Sequence, residues 1–172
     1  MNANELRVSM SMSAAERYVN RPAEMLVLQG YRHWTLGFVT KNVKLWDEAW
    51  NLFCTELGTK NARDCMSRLI TLVKTLGACS GCPLRTMPLD DDALCRDECL
   101  VMGLIAAMQH GDDAATEICL QALSCPTRCD EVAFAARDLA FALQRAQSVL
   151  TPVPANVLMD IAHQDMPSRE VH

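Results

Sequence analysis

From Val132 onward the apolar residues Val132, Ala135, Leu139, Ala142 or Leu143, Ala146 and Leu150 return every three or four positions. That is the repeat of one face of an α-helix, and it excludes a strand, whose faces alternate every second residue. The same spacing runs through most of the chain. Val27, Tyr31, Trp34 and Phe38 draw a stripe along a helix from Pro22 to about Thr40, and Trp46, Trp50, Phe53 and Leu57 repeat it up to Gly58. Asn61 is placed to cap a third helix, with Cys65, Leu69, Leu72, Val73 and Leu76 on one face and Gly77 as its stop. Asp90, Asp91 and Asp92 offer acidic caps to a helix over 91–110, whose face Cys95, Cys99, Met102, Ile105 (or Ala106) and Gln109 leads to Gly111. Asp112 or Asp113 restarts the chain through Ile118, Cys119, Leu120 and Leu123 as far as Pro126, and the Val132 stripe belongs to the last long helix. Pro152 and Pro154 end that helix, and a short turn of helix is expected over 156–162.

No window sustains period-2 alternation with β-branched residues. The expected fold class is therefore all-α: a compact antiparallel bundle of about six helices without a sheet, since connections at 39–43, 58–61 and 111 are short enough to fold neighbours back on each other. Residues 1–12 read as a polar arm, Ser13 to Glu16 as the start of a short first helix, 13–163 as a single helical domain and 164–172 as a polar tail. Half of the residues are hydrophobic and 22% are charged, a balance that favours burial of a core over disorder.

A net charge of −5 gives no general attraction to phosphate, which argues against nucleic acid as a partner. The longest apolar run, Leu100 to Met108, is far short of the roughly 20 residues needed to cross a membrane. The first residues lack an apolar signal core, so the expected location is the cytoplasm.

Within that setting the cysteines are the chemical signal. Six of nine fall into three close pairs, Cys79 with Cys82, Cys95 with Cys99 and Cys125 with Cys129. In a reducing compartment such pairs bind metal or perform redox chemistry more often than they form structural disulfides. A Cys-x2-Cys turn lets two thiolates grip one ion, whereas Cys-x3-Cys on a helix sets two sulfurs one turn apart. An antiparallel pair of helices 91–110 and 112–123 brings Cys125 or Cys129 back toward Cys95 and Cys99, with Cys79 and Cys82 entering from the preceding loop. A four-thiolate site of Cys79, Cys82, Cys95 and Cys99 follows, with Cys125 and Cys129 as the competing second pair. Its cofactor would be zinc or an iron–sulfur cluster. Arg96 and the helix N-terminus beside Cys95, and Arg128 beside Cys129, favour thiolates, while Asp90 to Asp92 oppose them. The spacing departs from the zinc ribbon, whose second pair is also Cys-x2-Cys.

Cys54, Cys65 and Cys119 sit on or beside apolar stripes, where packing alone explains them. His33, His110, His163 and His172 form no metal-binding pair, and His33 lies off its helix's stripe, where it faces solvent or bonds locally. There is no nucleophile elbow, phosphate loop or dinucleotide fingerprint. Cys79 and Cys82 also lack the following histidine of thiol peroxidases of the alkylhydroperoxidase type, so an enzyme is disfavoured. The leading expectation is a cysteine-ligated metal or iron–sulfur protein with a structural or redox-sensory role. The alternatives are a metal-free interaction module or homodimer, and a thiol–disulfide switch. In the switch, Cys79–Cys82, or a bridge from that loop to Cys125 or Cys129, oxidises before Cys95–Cys99, whose Cβ atoms a helix holds parallel.

Overall fold

The computed structural model describes residues 21–79 and 84–164. The expected arm, the helix turn at Ser13, Cys82 and the tail from residue 165 lie outside the described residues. Within them the chain forms α1 (Pro22–Thr40), α2 (Val43–Gly77), α3 (Arg96–His110), α4 (Asp113–Leu123), a 3-10 turn (Pro126–Arg128), α5 (Cys129–Arg145) and α6 (Ala155–Ala162). No strand occurs among the described residues, and the helices pack as a bundle.

Each boundary has a local cause. Pro22 opens α1, whose last turn closes when Lys41, at φ 54°, donates its N–H to the Gly37 carbonyl. Asn42 caps α2 by accepting from the Lys44 N–H at 3.1 Å. Inside α2, Gly58 stands at φ 74° and ψ 154°, so the expected stop after Leu57 is present as a kink with no intervening loop. Because the chain re-enters the helix at once, Asn61 is not a cap; it lies inside α2 and donates to the Leu57 carbonyl at 3.2 Å. Gly111, at φ 68°, closes α3, and Asp112 caps α4 through the Ala115 N–H at 3.0 Å.

Helix α3 is the centre of the bundle. Leu100, Val101, Leu104, Ile105, Ala106 and Ala107 bury its whole circumference rather than one face. It packs against α1, α4, α5 and α6, while α2 packs against α1 and α5. A Cβ added at Gly103 would stand 2.5 Å from a Leu158 methyl, so glycine is what lets α6 lie this close to α3.

Two expected boundaries move. The last long helix ends at Arg145, not near Leu150, because Gln147 turns the chain at φ 60°. Leu150 is buried all the same, since the buried Gln109 accepts its N–H at 2.8 Å and donates to the Ala140 and Ser148 carbonyls. The helix expected from residue 91 begins at Arg96. Asp90 to Asp92 do not cap it, and Asp91 instead accepts from the Ala93 N–H at 2.9 Å. The reason lies on α1, in a side chain that claims the carbonyls of this stretch.

Candidate functional site: the two anchors of the segment between α2 and α3

That side chain is Arg32, with only 1% of its surface exposed. Its five N–H groups all have acceptors. Nε and Nη2 meet the two Glu98 carboxylate oxygens at 2.8 and 3.1 Å, Nη1 donates to the carbonyls of Pro88 and Asp91, and Nη2 donates to that of Ala93. Glu98, equally buried, also accepts from the N–H groups of Met87 and Cys95 and from the Thr86 hydroxyl. A buried ion pair is tolerated when every remaining donor and lone pair is satisfied in this way. The carbonyls of Asp91 and Ala93 are turned to the Arg32 guanidinium, the backbone over 91–95 is not helical, and α3 starts late, at Arg96. Around this clamp, Tyr31 donates to the Arg85 carbonyl at 3.0 Å, Gln29 to that of Leu89 at 3.3 Å, and the Arg85 N–H donates to Asp97 at 3.0 Å.

Cys95 is the N-cap of α3, and its backbone N–H is bonded to Glu98 three residues on. Its thiol is buried against the Arg85 carbonyl at 3.4 Å. Burial, with the Glu98 carboxylate behind it, pushes the thiol up to about 12. The helix N-terminus and Arg96, expected to favour a thiolate at Cys95, are outweighed by loss of water and the adjacent Glu98 carboxylate. Arg96 itself points away, donating to Asp97 and to the Ala162 carbonyl at the end of α6. The same carboxylates and Cys95 add to burial in holding the Tyr31 phenol well above 10.

The other end of the segment is covalent. Cys79 follows the last turn of α2, its N–H donating to the Leu76 carbonyl, and Cys125 precedes the 3-10 turn between α4 and α5. The two are joined by a disulfide with Cα atoms 6.5 Å apart, inside the usual range. The Cys125 N–H lies 3.3 Å from the Cys79 sulfur, and Arg128 reinforces the joint by donating to the Ala78 carbonyl at 3.3 Å. Cys129, the first residue of α5, is half-buried and outside the disulfide.

Of the six expected site residues, the structure thus unites Cys79 and Cys125, one from each loop pair. Cys95 and Cys99 stand one turn apart at the start of α3, both buried, while Cys82 lies outside the described residues. Among the described residues no three His, Cys, Asp or Glu side chains are grouped so as to hold an ion. Cys65 and Cys119 are core residues, as their stripes imply, with thiols pushed by burial to about 11 and about 12, and half-buried Cys54 packs against the core. His33 bonds locally, donating from Nδ1 to the Gln29 carbonyl at 2.6 Å with Glu48 3.5 Å from Nε2.

Sequence reasoning missed Arg32 and Glu98. One signal was there to be read: Cys95-x2-Glu98 has capping-box spacing with cysteine in the place of serine, whereas the burial of Arg32 beside Leu28 and Thr35 on α1 shows only in the structure. No helix among the described residues is long and apolar enough to cross a membrane. No family model, curated protein or solved structure matches the chain.

Proposed function

We propose that the protein is a cytoplasmic thiol–disulfide switch, in which Cys79 and Cys125 cycle between two thiols and one disulfide. The observation that carries this reading is the bond between the end of α2 and the α4–α5 corner, formed by members of two close-spaced pairs. Oxidation removes two electrons and two protons from the thiols, and an external disulfide such as glutathione disulfide takes them up and becomes two thiols; reduction is the reverse. The bond closes a loop of 46 residues, a constraint worth about 4 kcal/mol in the loop-closure model. Its loss frees the α2 end of the connecting segment while the Arg32–Glu98 clamp holds the α3 end.

The same juxtaposition supports a metal reading for the reduced form. Once Cys79 and Cys125 are thiols, they and their partners Cys82 and Cys129 supply four sulfurs for zinc or an iron–sulfur cluster. Burial of the Cys95 thiol disfavours the set built on Cys95 and Cys99. The metal-free interaction module or homodimer keeps one supporting feature, the exposed Phe134 and Phe141 seven residues apart on α5.

Differential alkylation and mass spectrometry across a series of glutathione buffers test the switch. A two-electron transition of Cys79 and Cys125 within the cytosolic range of about −220 to −320 mV is expected. A pair still oxidised at the reducing end of that range is a structural staple, and the proposal fails. Zinc and iron assays on protein reduced without chelator decide the metal reading, which requires about one ion or cluster per chain.

A further inference from the structure

Helix α5 turns Val132, Ala136, Leu139 and Leu143 into the bundle. Its opposite face holds Phe134, 66% exposed, and Phe141, 46% exposed, two turns apart and about 10 Å along the axis. Two aromatic rings on one exposed face forfeit a large gain from burial, and such a face is what a partner covers. Beside Phe134 a hollow of about 190 Å³ opens between α2 and α5, walled by Ala135, Thr71 and the ion-paired Arg68. It lies next to a ring that nothing within the described residues encloses.

The order of charges along α5 points to the occupant. Asp130 and Glu131 are exposed at its start and Arg145 at its end, while Arg137 and Asp138 flank the midpoint between the two rings. Across that midpoint the rings repeat and the charges change sign. A second copy laid antiparallel on this face, about a twofold axis through the midpoint, sets each Phe134 against the partner's Phe141. The same axis brings Glu131 beside the partner's Arg145, and Arg137 beside the partner's Asp138. A parallel copy would set each charge against its like. The pairs made within one chain, Glu131 with Arg128 and Arg145 with Asp64, lie at the surface, where they are worth little and exchange readily. We propose that the protein forms a homodimer in which α5 packs antiparallel on α5 of a second copy, the ring of the partner's Phe141 entering the hollow beside Phe134 and Arg68. This rests on the homodimer reading, to which it gives an interface and a register, and it does not depend on the Cys79–Cys125 bond.

Sedimentation equilibrium of the full chain across a dilution series, in reductant so that no bridge between chains contributes, tests this. A reversible monomer–dimer equilibrium is expected. Phe134→Ser combined with Phe141→Ser, both at exposed positions, should weaken it at least about tenfold. Glu131→Arg or Arg145→Glu alone should weaken it several-fold, and the two together should restore it to within about twofold, because the pair re-forms with its signs exchanged. Within one chain these positions stand about 21 Å apart along the helix, too far to compensate each other. A chain that stays monomeric at every concentration would overturn the homodimer reading and this interface together. A dimer indifferent to the serine pair, or a double charge reversal no better than the single ones, would overturn the interface alone.

Discussion

The segment that runs from α2 to α3 is anchored at its two ends by opposite chemistry. At the α3 end, Arg32 and Glu98 hold six groups of the 84–95 stretch by charge and hydrogen bonds, buried where no solvent species competes. At the α2 end, Cys79 holds Cys125 by one covalent bond beside partly exposed groups. The difference teaches which end the proposed switch would act on. A buried ion pair with every donor satisfied has no second stable state, because removing either partner strands a charge. A disulfide has two states by nature, and a redox buffer chooses between them. Under the proposed switch, permanence and reversibility would lie within one connection.

The largest test of the permanent end is Glu98→Ala. It leaves the Arg32 guanidinium buried without its counter-charge and should cost about 3–5 kcal/mol in urea denaturation. Replacing both partners should not restore stability, because the carbonyls of Pro88, Asp91 and Ala93 would lose their donors. A double variant as stable as the native protein would show that the clamp is an ordinary exchangeable ion pair.

The disulfide end should give the next largest effect. Cys79→Ser, or reduction of the native protein, should lower stability by about 2–4 kcal/mol. Hydrogen exchange should then quicken at the Cys125 amide, which lies against the Cys79 sulfur, while the Met87 and Cys95 amides held by Glu98 stay protected. Equal deprotection at both ends would mean that the two anchors open as one unit.

Alkaline titration separates the buried thiols from the bonded one. Cys95 ionises near 9.0 when unfolded but only at about 12 when folded. Its contribution is intact below pH 9 and is lost as pH rises from there toward 12, at up to about 1.4 kcal/mol per pH unit. Cys65 and Cys119 act in the same direction. Cys95→Ser retains a capping side chain and should flatten the decline between pH 9 and 11, read from urea midpoints. An unchanged profile would place the alkaline loss elsewhere.

The smallest effect belongs to Arg128→Ala, which removes the bond to the Ala78 carbonyl and the ion pair with Glu131. Both are at the surface, so less than about 1 kcal/mol is expected. Its use is comparative: the change in stability should be larger in the reduced protein, where no covalent bond holds the same joint.

Much of this architecture was legible in the residue pattern. The spacing in α1, α4 and α5, the break at Gly58 and the stop at Gly111 depend on local backbone preference and on periodic burial, which a sequence displays directly. Tertiary contacts decided the rest. Three consecutive aspartates beside a helical stripe predict a helix start, yet α3 begins at Arg96 because Arg32, some sixty residues earlier, holds the preceding carbonyls. Likewise the stripe from Val132 continues to Leu150 in sequence but not in helix, since Gln109 supplies the backbone partners that a further turn would have supplied.

At the candidate site the division is the same. The sequence by itself determined an all-helical fold class and a candidate set, three close pairs of cysteines. Only the tertiary structure decided that Cys79 meets Cys125, that Cys95 is sealed as a neutral thiol, and that a buried arginine fixes the segment between them. The physical reason is that periodicity and spacing are properties of neighbours along the chain. Sulfur pairing, desolvation and the satisfaction of a buried charge depend instead on residues tens of positions apart, and packing alone brings these together.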